Sequence, residues 1–546
     1  MQNKKPSIKN PFLILFTLTL GIYLGKYLAV PNQYIQISNT GTRELPKLVE
    51  LLSYLEFNYV DSIDLDSLQE EVIATTLESL DPHSSYIAIE ELQDITESMQ
   101  GNFEGIGVQF QVIKDTIVVI SPISGGPSQR KGIQAGDKIV KVDTMNVAGV
   151  GFTNKDVLKT LKGDKGTKVL LFIKRKNVDR LLEFNITRDK IPITSVDVSY
   201  MVNDQVGYIK VNRFSGTTEE EFISALDGLK SKGINKLILD LRSNPGGYLS
   251  AAINMVDEFL PKGKTVVYTE GAFRNKQIYK SSNYGRFKKE KLIVLIDEGS
   301  ASASEIVAGA IQDHDRGTII GRRTFGKGLV QEQNQMSDGA AFRLTTARYY
   351  TPSGRCIQKP YTKNSDGYYK ESLERYTNGE LYHKDSIKIA DSLKFYTREG
   401  RIVFGGGGIS PDYFIPLDTA GRSDWLYDVL AENMINTFVF DYVDAHKKEL
   451  SKYKSAAEFD DKFKINERVF NNFIEITKNK GIKGSIAEIE NSKDWIHMRL
   501  KALIARHQWS DEGFYRAVNK DDPMIVKALD LFKTKDELIN KSLIIK

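Results

Sequence analysis

Apolar positions recur along the chain with different periods in successive stretches. Between residues 45 and 95 they return at helical spacing, as Leu48, Leu51, Leu52 and Leu55 and then Val72, Ile73, Thr76, Leu77 and Leu80, which predicts short amphipathic helices. The Asp81-Pro82 step interrupts that pattern and places Leu80-Asp81-Pro82-His83-Ser84-Ser85-Tyr86 in a turn, with Asp81 or Ser84 available as capping residues. Between 101 and 190 the texture changes to short apolar runs bounded by glycines. Segments 105–110, 116–121, 138–142, 169–174 and 181–187 read as strands of a small β-rich domain. From 207 onward strands (207–211, 236–241, 265–268, 292–297, 318–321) and helices (218–230, 250–260, 304–312) are interleaved, the pattern of a layered α/β core. Charged residues 361–400 read as a surface insertion, and 424–546 as helical, charged and amphipathic. The expected organisation is multidomain α/β: an N-terminal segment 1–30, a helical module 31–100, a β-rich domain 101–190, the α/β core 191–420 and a helical C-terminal extension 421–546.

Charge and composition narrow the chemistry. The 75 basic and 71 acidic residues are interspersed and leave a net charge of +4, which argues against a polyanion-binding surface and so against a nucleic-acid partner. One cysteine, Cys356, excludes an internal disulfide, and six scattered histidines show no metal-ligand spacing, so no metal and no cofactor are expected. Lys4, Lys5 and Lys9 precede an apolar run over 12–25, which reads as an export signal. With no small-x-small cleavage site and no cysteine for lipid attachment, an uncleaved anchor is favoured over a removed signal. Flanking lysines weigh against a buried core helix. The expected location is the cell envelope, periplasmic or extracytoplasmic, with the inner membrane held by this segment.

In the β-rich stretch, glycines at 105 and 107 let successive backbone N–H groups converge on one anion; a bulged strand start would look the same. This region resembles a PDZ domain. Gly105-Ile106-Gly107-Val108 matches that family's carboxylate-binding loop, and Gly132 to Val142 is similar to its A-G-D-x-I turn and strand. The resemblance implies that an apolar peptide C-terminus adds as a strand beside 107–110. Lys162 stands where related proteases often carry an arginine that senses substrate.

In the α/β stretch, strand 292–297 runs into Glu298-Gly299-Ser300-Ala301-Ser302-Ala303-Ser304-Glu305, small residues opening a helix. The first turn of a helix leaves N–H donors unpaired and carries partial positive charge, so an oxyanion forming beside Ser302 is stabilised there. An ordinary helix start with Ser304 as N-cap fits the same letters. Arg242-Ser243-Asn244-Pro245-Gly246-Gly247 follows another strand, and its glycines let amides approach a substrate carbonyl. Arg322 to Gln331 then presents Lys327 between two glycines, with Gln331 four residues on. Residues 42 to about 420 resemble the C-terminal processing peptidases, or tail-specific proteases, in module order: helices, PDZ domain, D-L-R-x-N-x-G-G, S-A-S-A-S-E, G-K-G-x-x-Q and a closing G-G-I-x-P-D. The resemblance implies a crotonase/ClpP-like layered core with Ser302 as nucleophile, Lys327 as base and Gln331 as its orienter, and protein or peptide substrates with apolar C-termini.

The residue types suit those roles. A lysine at its reference pKa of about 10.4 gives up its proton at pH 7 at a cost of about 4.6 kcal/mol, so burial has to depress that value. A glutamine orients the amine without adding the negative charge that would favour its protonated form. Oxyanion donors are expected from Ala303 and from Gly246 or Gly247. Ser300 and Ser304 compete as nucleophiles. His314 lies twelve residues along the helix, roughly 18 Å from Ser302, and His83 beside two serines is better explained by turn capping. The glycines 405–408 lack the Lys-Ser/Thr that phosphate binding requires. A catalytically silent PDZ scaffold and a crotonase-like enzyme acting on acyl-CoA or small hydrophobic ligands are the alternatives; the C-terminal helices could hold an adaptor or a second copy.

Overall fold

The computed structural model describes residues 46–123, 125–176, 178–361, 365–387 and 390–533. The apolar run 12–25, expected as the export segment, lies outside the described residues. Among the described residues no helix is long and apolar enough to cross a membrane. Of the described residues, those up to Glu71 form a small unit of their own containing the helix Pro46–Asn58, and those from Val72 onward belong to a second unit.

The centre of that second unit is a six-stranded sheet in the order Val196–Met201, Val206–Val211, Lys236–Asp240, Lys291–Ile296, Thr318–Gly321, Tyr413–Phe414, antiparallel in its first pair and parallel thereafter. Its middle strands are buried on both faces, which is why they read as unbroken apolar runs. Ile209, Leu237, Leu239, Val294 and Ile296 face one way and pack with Phe222, Leu226, Met255, Ile306 and Ile311 from the helices Thr218–Lys230, Leu249–Asp257 and Ala303–Asp313. Their neighbours Tyr208, Ile238, Ile293 and Leu295 face the other way, against Met524, Ile525, Ala528 and Phe532 of the helix Pro523–Lys533. This helix, within the expected C-terminal extension 421–546, therefore completes the core. The loops after the parallel strands, 241–248, 297–302 and 322–328, lie at one edge, where such sheets assemble sites.

A second, antiparallel sheet borders this edge. The strand Ala341–Tyr350 pairs with Leu329–Gln335, with Ser85–Ile87 and with Thr265–Gly271, which in turn pairs with Arg274–Lys280. The β-rich domain is inserted through a two-stranded ribbon, Asn102–Gly105 against Asp189–Pro192. It has its own core around Ile117, Val119, Ile139 and Leu171, a sheet with the strand Val108–Val112 at one edge, and the helix Asn154–Leu161. C-terminal helices between Asp424 and Asn519 enclose a further core around Trp425, Phe438, Phe459, Phe473 and Leu500.

Candidate active site

Ser300 and Ser304 are wholly buried and committed to the scaffold. Ser300 Oγ accepts from the Asp297 amide at 3.0 Å and donates to the Leu241 carbonyl at 2.8 Å, while Ser304 Oγ donates to the Asn244 carbonyl at 2.9 Å. Between them Ser302 is part-exposed and stands as N-cap of Ala303–Asp313, so the helix starts there and not at Ser304. Its backbone sits at φ 55°, ψ −113°, a conformation a side-chain-bearing residue adopts only when its surroundings enforce it.

Glu305 does much of that enforcing. Its Oε2 accepts the amides of Ser302 at 2.8 Å and Lys327 at 2.9 Å, and its Oε1 accepts the Gly326 amide at 2.8 Å and the Thr324 hydroxyl at 2.5 Å. One carboxylate thus ties the serine turn to the lysine loop. Burial pushes its pKa up to about 7, against the pull of the four donors. The buried Tyr349 hydroxyl makes a second tie, lying within donating distance of the Ser302 carbonyl at 3.1 Å and of the Lys327 carbonyl.

The Lys327 ammonium donates to Gln331 Oε1 at 2.8 Å and is in no ion pair among the described residues. Burial, and then the charge of Arg343, lower its pKa from 10.5 to about 8. Gln331 Nε2 donates to the His83 carbonyl at 2.6 Å, and since a carbonyl only accepts, this fixes which amide atom faces the lysine. His83 belongs to the turn that the sequence shows as a capped loop. Asp81 accepts from the amides of His83 and Ser84, from Ser84 Oγ and from Thr345 Oγ1. Burial and the nearby Lys327 lower the His83 imidazole to about 4, so it is neutral at pH 7; its Nε2 meets the Tyr368 hydroxyl at 2.9 Å. The turn contributes a backbone acceptor to this site.

The 242–247 loop closes the other side. Gly246 abuts Ser302: a Cβ there would stand 2.7 Å from Ser302 Cβ and 2.9 Å from the Ala303 nitrogen. The Gly246 amide is taken by Asn244 Oδ1 at 2.9 Å, whereas the amides of Gly247 and Ala303 have no acceptor among the described residues. Residues 361–400, expected as a surface insertion, are anchored through a buried face. Arg375 donates to the carbonyls of Thr324 at 2.8 Å and Phe325 at 3.2 Å, and Arg323 pairs with Glu380 at 2.6 Å, so this segment braces the lysine loop. His314 ends the helix that Ser302 begins and meets the Thr265 carbonyl at 2.6 Å, away from the site.

The model for "Peptidase family S41" matches residues 205–364 and a PDZ-domain model matches 105–186. A carboxy-terminal-processing protease of Bartonella bacilliformis is 39% identical over 345 residues, 62% of this chain and 78% of the relative. Carboxy-terminal processing protease CtpA of Bacillus subtilis is 34% identical over 358 residues, 65% of this chain and 76% of the relative. The chain belongs to the carboxy-terminal processing proteases. These are serine-type proteases of family S41, here with an S41 core, a PDZ domain and a helical C-terminal region whose residues 425–511 match a family of unknown function. Among solved structures, the photosystem II D1 C-terminal processing protease is 26% identical, covering 68% of this chain and 86% of that one, with a TM-score of 0.36.

In this processing protease the PDZ residues are laid out unevenly. Val108 opens the edge strand and Gly107 has φ 73°, with a Cβ there 2.8 Å from Ile191. Ile106 is buried in the domain's core, and Gly105 pairs with Asp189 in the ribbon and bridges Lys162. Lys162, expected as a substrate contact, pairs with Asp94 at 2.6 Å and Glu97 at 3.0 Å on the helix Ile89–Gln100. The sequence reading gave no role to Glu305, Tyr349 or Asn244, although the Ser302-x-x-Glu305 spacing of a capping box was visible.

Proposed function

We propose that this chain is a carboxyl-terminal processing endopeptidase of the cell envelope that cleaves peptide bonds by acyl transfer. Ser302 Oγ attacks the scissile carbonyl, Lys327 takes the serine proton and delivers it to the leaving amine, and water then releases the acyl-enzyme. Gln331 holds the amine, and the unpaired amides of Ala303 and Gly247 receive the oxyanion. The observation that carries this reading is Lys327 itself: a largely buried amine whose one hydrogen-bond partner among the described residues is a neutral amide, tied through Glu305 and Tyr349 to a strained, part-exposed serine. An apolar substrate C-terminus adds to the open edge of Val108–Val112, its carboxylate at the start of that strand. Lysines followed by the apolar run 12–25 support export and an inner-membrane anchor.

The test is cleavage of an unfolded reporter bearing an apolar C-terminal tail by wild type, Ser302→Ala and Lys327→Ala, each checked for folding. Cleavage by wild type and by neither variant is expected. Tail binding without cleavage by wild type would replace the protease reading with a silent PDZ scaffold. Recovery of the chain in a soluble cytoplasmic fraction would overturn the envelope assignment.

A further inference from the structure

The helix Pro523–Lys533 reaches the loop beside Ser302 from the far face of the sheet. Asp522 caps this helix, its Oδ1 accepting the amides of Met524 at 2.8 Å and Ile525 at 3.1 Å. Its other oxygen, Oδ2, accepts Arg242 Nη1 at 2.6 Å. Arg242 opens the loop that carries Gly246 and Gly247. Its Nε and Nη2 donate to Asp240 at 3.0 Å and 2.6 Å, its amide donates to Asp240 Oδ1 at 2.9 Å, and its carbonyl accepts the Lys210 ammonium. Asp240 is fully buried and also accepts the Tyr208 hydroxyl at 2.7 Å. Asp240, Lys210 and Tyr208 all belong to the sheet; Asp522 is the tether that comes from outside it.

We propose that Asp522 is a positioning residue for the reaction: by fixing the Arg242 guanidinium it holds the 242–247 loop, and with it the Gly247 amide, against Ser302. This rests on the acyl-transfer reading above. The loop has little ladder pairing of its own and contains positive φ at Ser243, Gly246 and Gly247, so tethers set its place. Those tethers are Arg242 at its start, the Ser243 amide on Asp297 Oδ1 at 2.7 Å, Asn244 Nδ2 on the Val211 carbonyl at 3.0 Å, the Asn244 carbonyl accepting the Ala301 amide at 3.0 Å, and a bridge to Phe214, whose amide donates to the Gly246 carbonyl at 2.9 Å and whose carbonyl accepts the Tyr248 amide at 2.7 Å. A shift of about 1 Å in a group that receives the oxyanion is enough to cost up to about a hundredfold in rate. The Arg242–Asp522 bond is charge-assisted and its side chains are only 18% and 20% exposed, so salt screens it less than a surface pair.

Asp522→Asn in the full chain keeps a good N-cap and removes the charge that holds Arg242. The expected result is a fall in kcat of about tenfold with KM within twofold, less than the 10²–10³ that outright loss of an oxyanion donor costs. Hydrogen exchange in peptides covering 242–248 should quicken, with 206–211 unchanged. Arg242→Lys should behave alike, and the double variant should be no worse than the poorer single one. Tyr515→Phe is the control: it removes a different bond between the C-terminal segment and the same sheet, to Asp197 at 2.8 Å, and should leave kcat and the loop's exchange alone. Wild-type kcat in Asp522→Asn, a fall without faster exchange, or an equal loss in Tyr515→Phe each overturns the proposal. If wild-type cleavage proves independent of Ser302, the acyl-transfer reading fails instead, and the exchange data still decide whether Asp522 tethers the loop.

Discussion

Replacing Gln331 with glutamate exchanges one amide nitrogen for an oxygen and should move the titration of Lys327 by more than a pH unit. With Lys327 at about 8, roughly one enzyme in ten carries the free amine at pH 7. The contact is 2.8 Å long and part-buried, and an opposite charge at such range moves a pKa by about 1–3 units toward the charged form. The lysine value therefore rises to about 9–11, the free-amine fraction at pH 7 falls about 10- to 1000-fold, and the barrier to turnover grows by about 1.4–4 kcal/mol. A pH-independent part comes on top, because the new oxygen faces the His83 carbonyl where Gln331 Nε2 now donates; such a loss costs about 1–3 kcal/mol. The assay is kcat/KM on the tailed reporter from pH 6.5 to 10, with folding checked at each pH. Between pH 7 and 8 the wild-type curve should rise about tenfold per unit and above 8 flatten, whereas the variant should keep rising to 9 or beyond and recover part of its deficit there. A variant curve parallel to the wild type at all pH values would refute the electrostatic account and leave only a geometric role for Gln331.

Glu305→Gln puts N–H groups where four donors now converge, so at least one bond is lost, and kcat should fall about 10- to 100-fold with little change in KM. Because Glu305 titrates near 7 and Lys327 near 8, wild-type activity should fall with a slope of two below pH 7, and this variant with a slope of one. Gly246→Ala drives a methyl group to within 2.7 Å of Ser302 Cβ at φ 98° and should abolish turnover and fluorophosphonate labelling of Ser302, while calorimetry shows unchanged binding of tail peptides.

The central sheet was legible because its strands are buried on both faces. An unbroken run such as Leu292 to Ile296 has few other readings, and the helix expected over 218–230 is found at Thr218–Lys230. Of the second sheet, the strand expected over 265–268 is found at Thr265–Gly271, but others were missed. Arg274–Lys280 is polar and largely solvent-facing, Leu329–Gln335 is polar and mostly half-buried, and they are strands because they pair with partners, a property no local pattern carries. Met524, Ile525, Ala528 and Phe532 mark an amphipathic face, but the strands it covers lie some 200 to 300 residues earlier. At the site, Ser302, Lys327 and Gln331 could be picked out because their motifs, S-A-S-A-S-E and G-K-G-x-x-Q, resemble those of the C-terminal processing peptidases. Glu305 could be seen only as a helix cap, since nothing local shows that its second oxygen reaches a loop twenty residues on. The same limit hid Arg375, whose charge suggested solvent exposure and whose guanidinium is buried on the lysine loop.

Two carboxylates, Glu305 and Asp81, raise the pKa of a lysine that has to be neutral to act, while burial and Arg343 lower it. Glu305 cannot be neutralised without cutting the tie between Ser302 and Lys327, but Asp81 can. In Asp81→Asn the retained oxygen can still accept from His83 N, Ser84 N and Thr345 Oγ1, and the new amide can donate to Ser84 Oγ, which has room for it beside the Thr345 amide at 3.1 Å. The turn, and the His83 carbonyl that orients Gln331, should therefore stay in place while one opposing charge disappears. A downward shift of about half a unit in Lys327 raises kcat/KM at pH 7 about threefold, and the gain cannot exceed about tenfold because roughly a tenth of the enzyme is already in the free-amine form. Above pH 9 the two enzymes should be indistinguishable. The same shift sets the stability term. Between the folded value near 8 and the unfolded 10.5, the unfolded chain binds the extra proton, so wild-type stability from this group rises with pH across that window; in Asp81→Asn the rise begins lower. Faster cleavage at pH 7 that vanishes at pH 9 would show that Asp81 restrains the base electrostatically. Slower cleavage at both would show that its hydrogen bonds to the turn matter more than its charge.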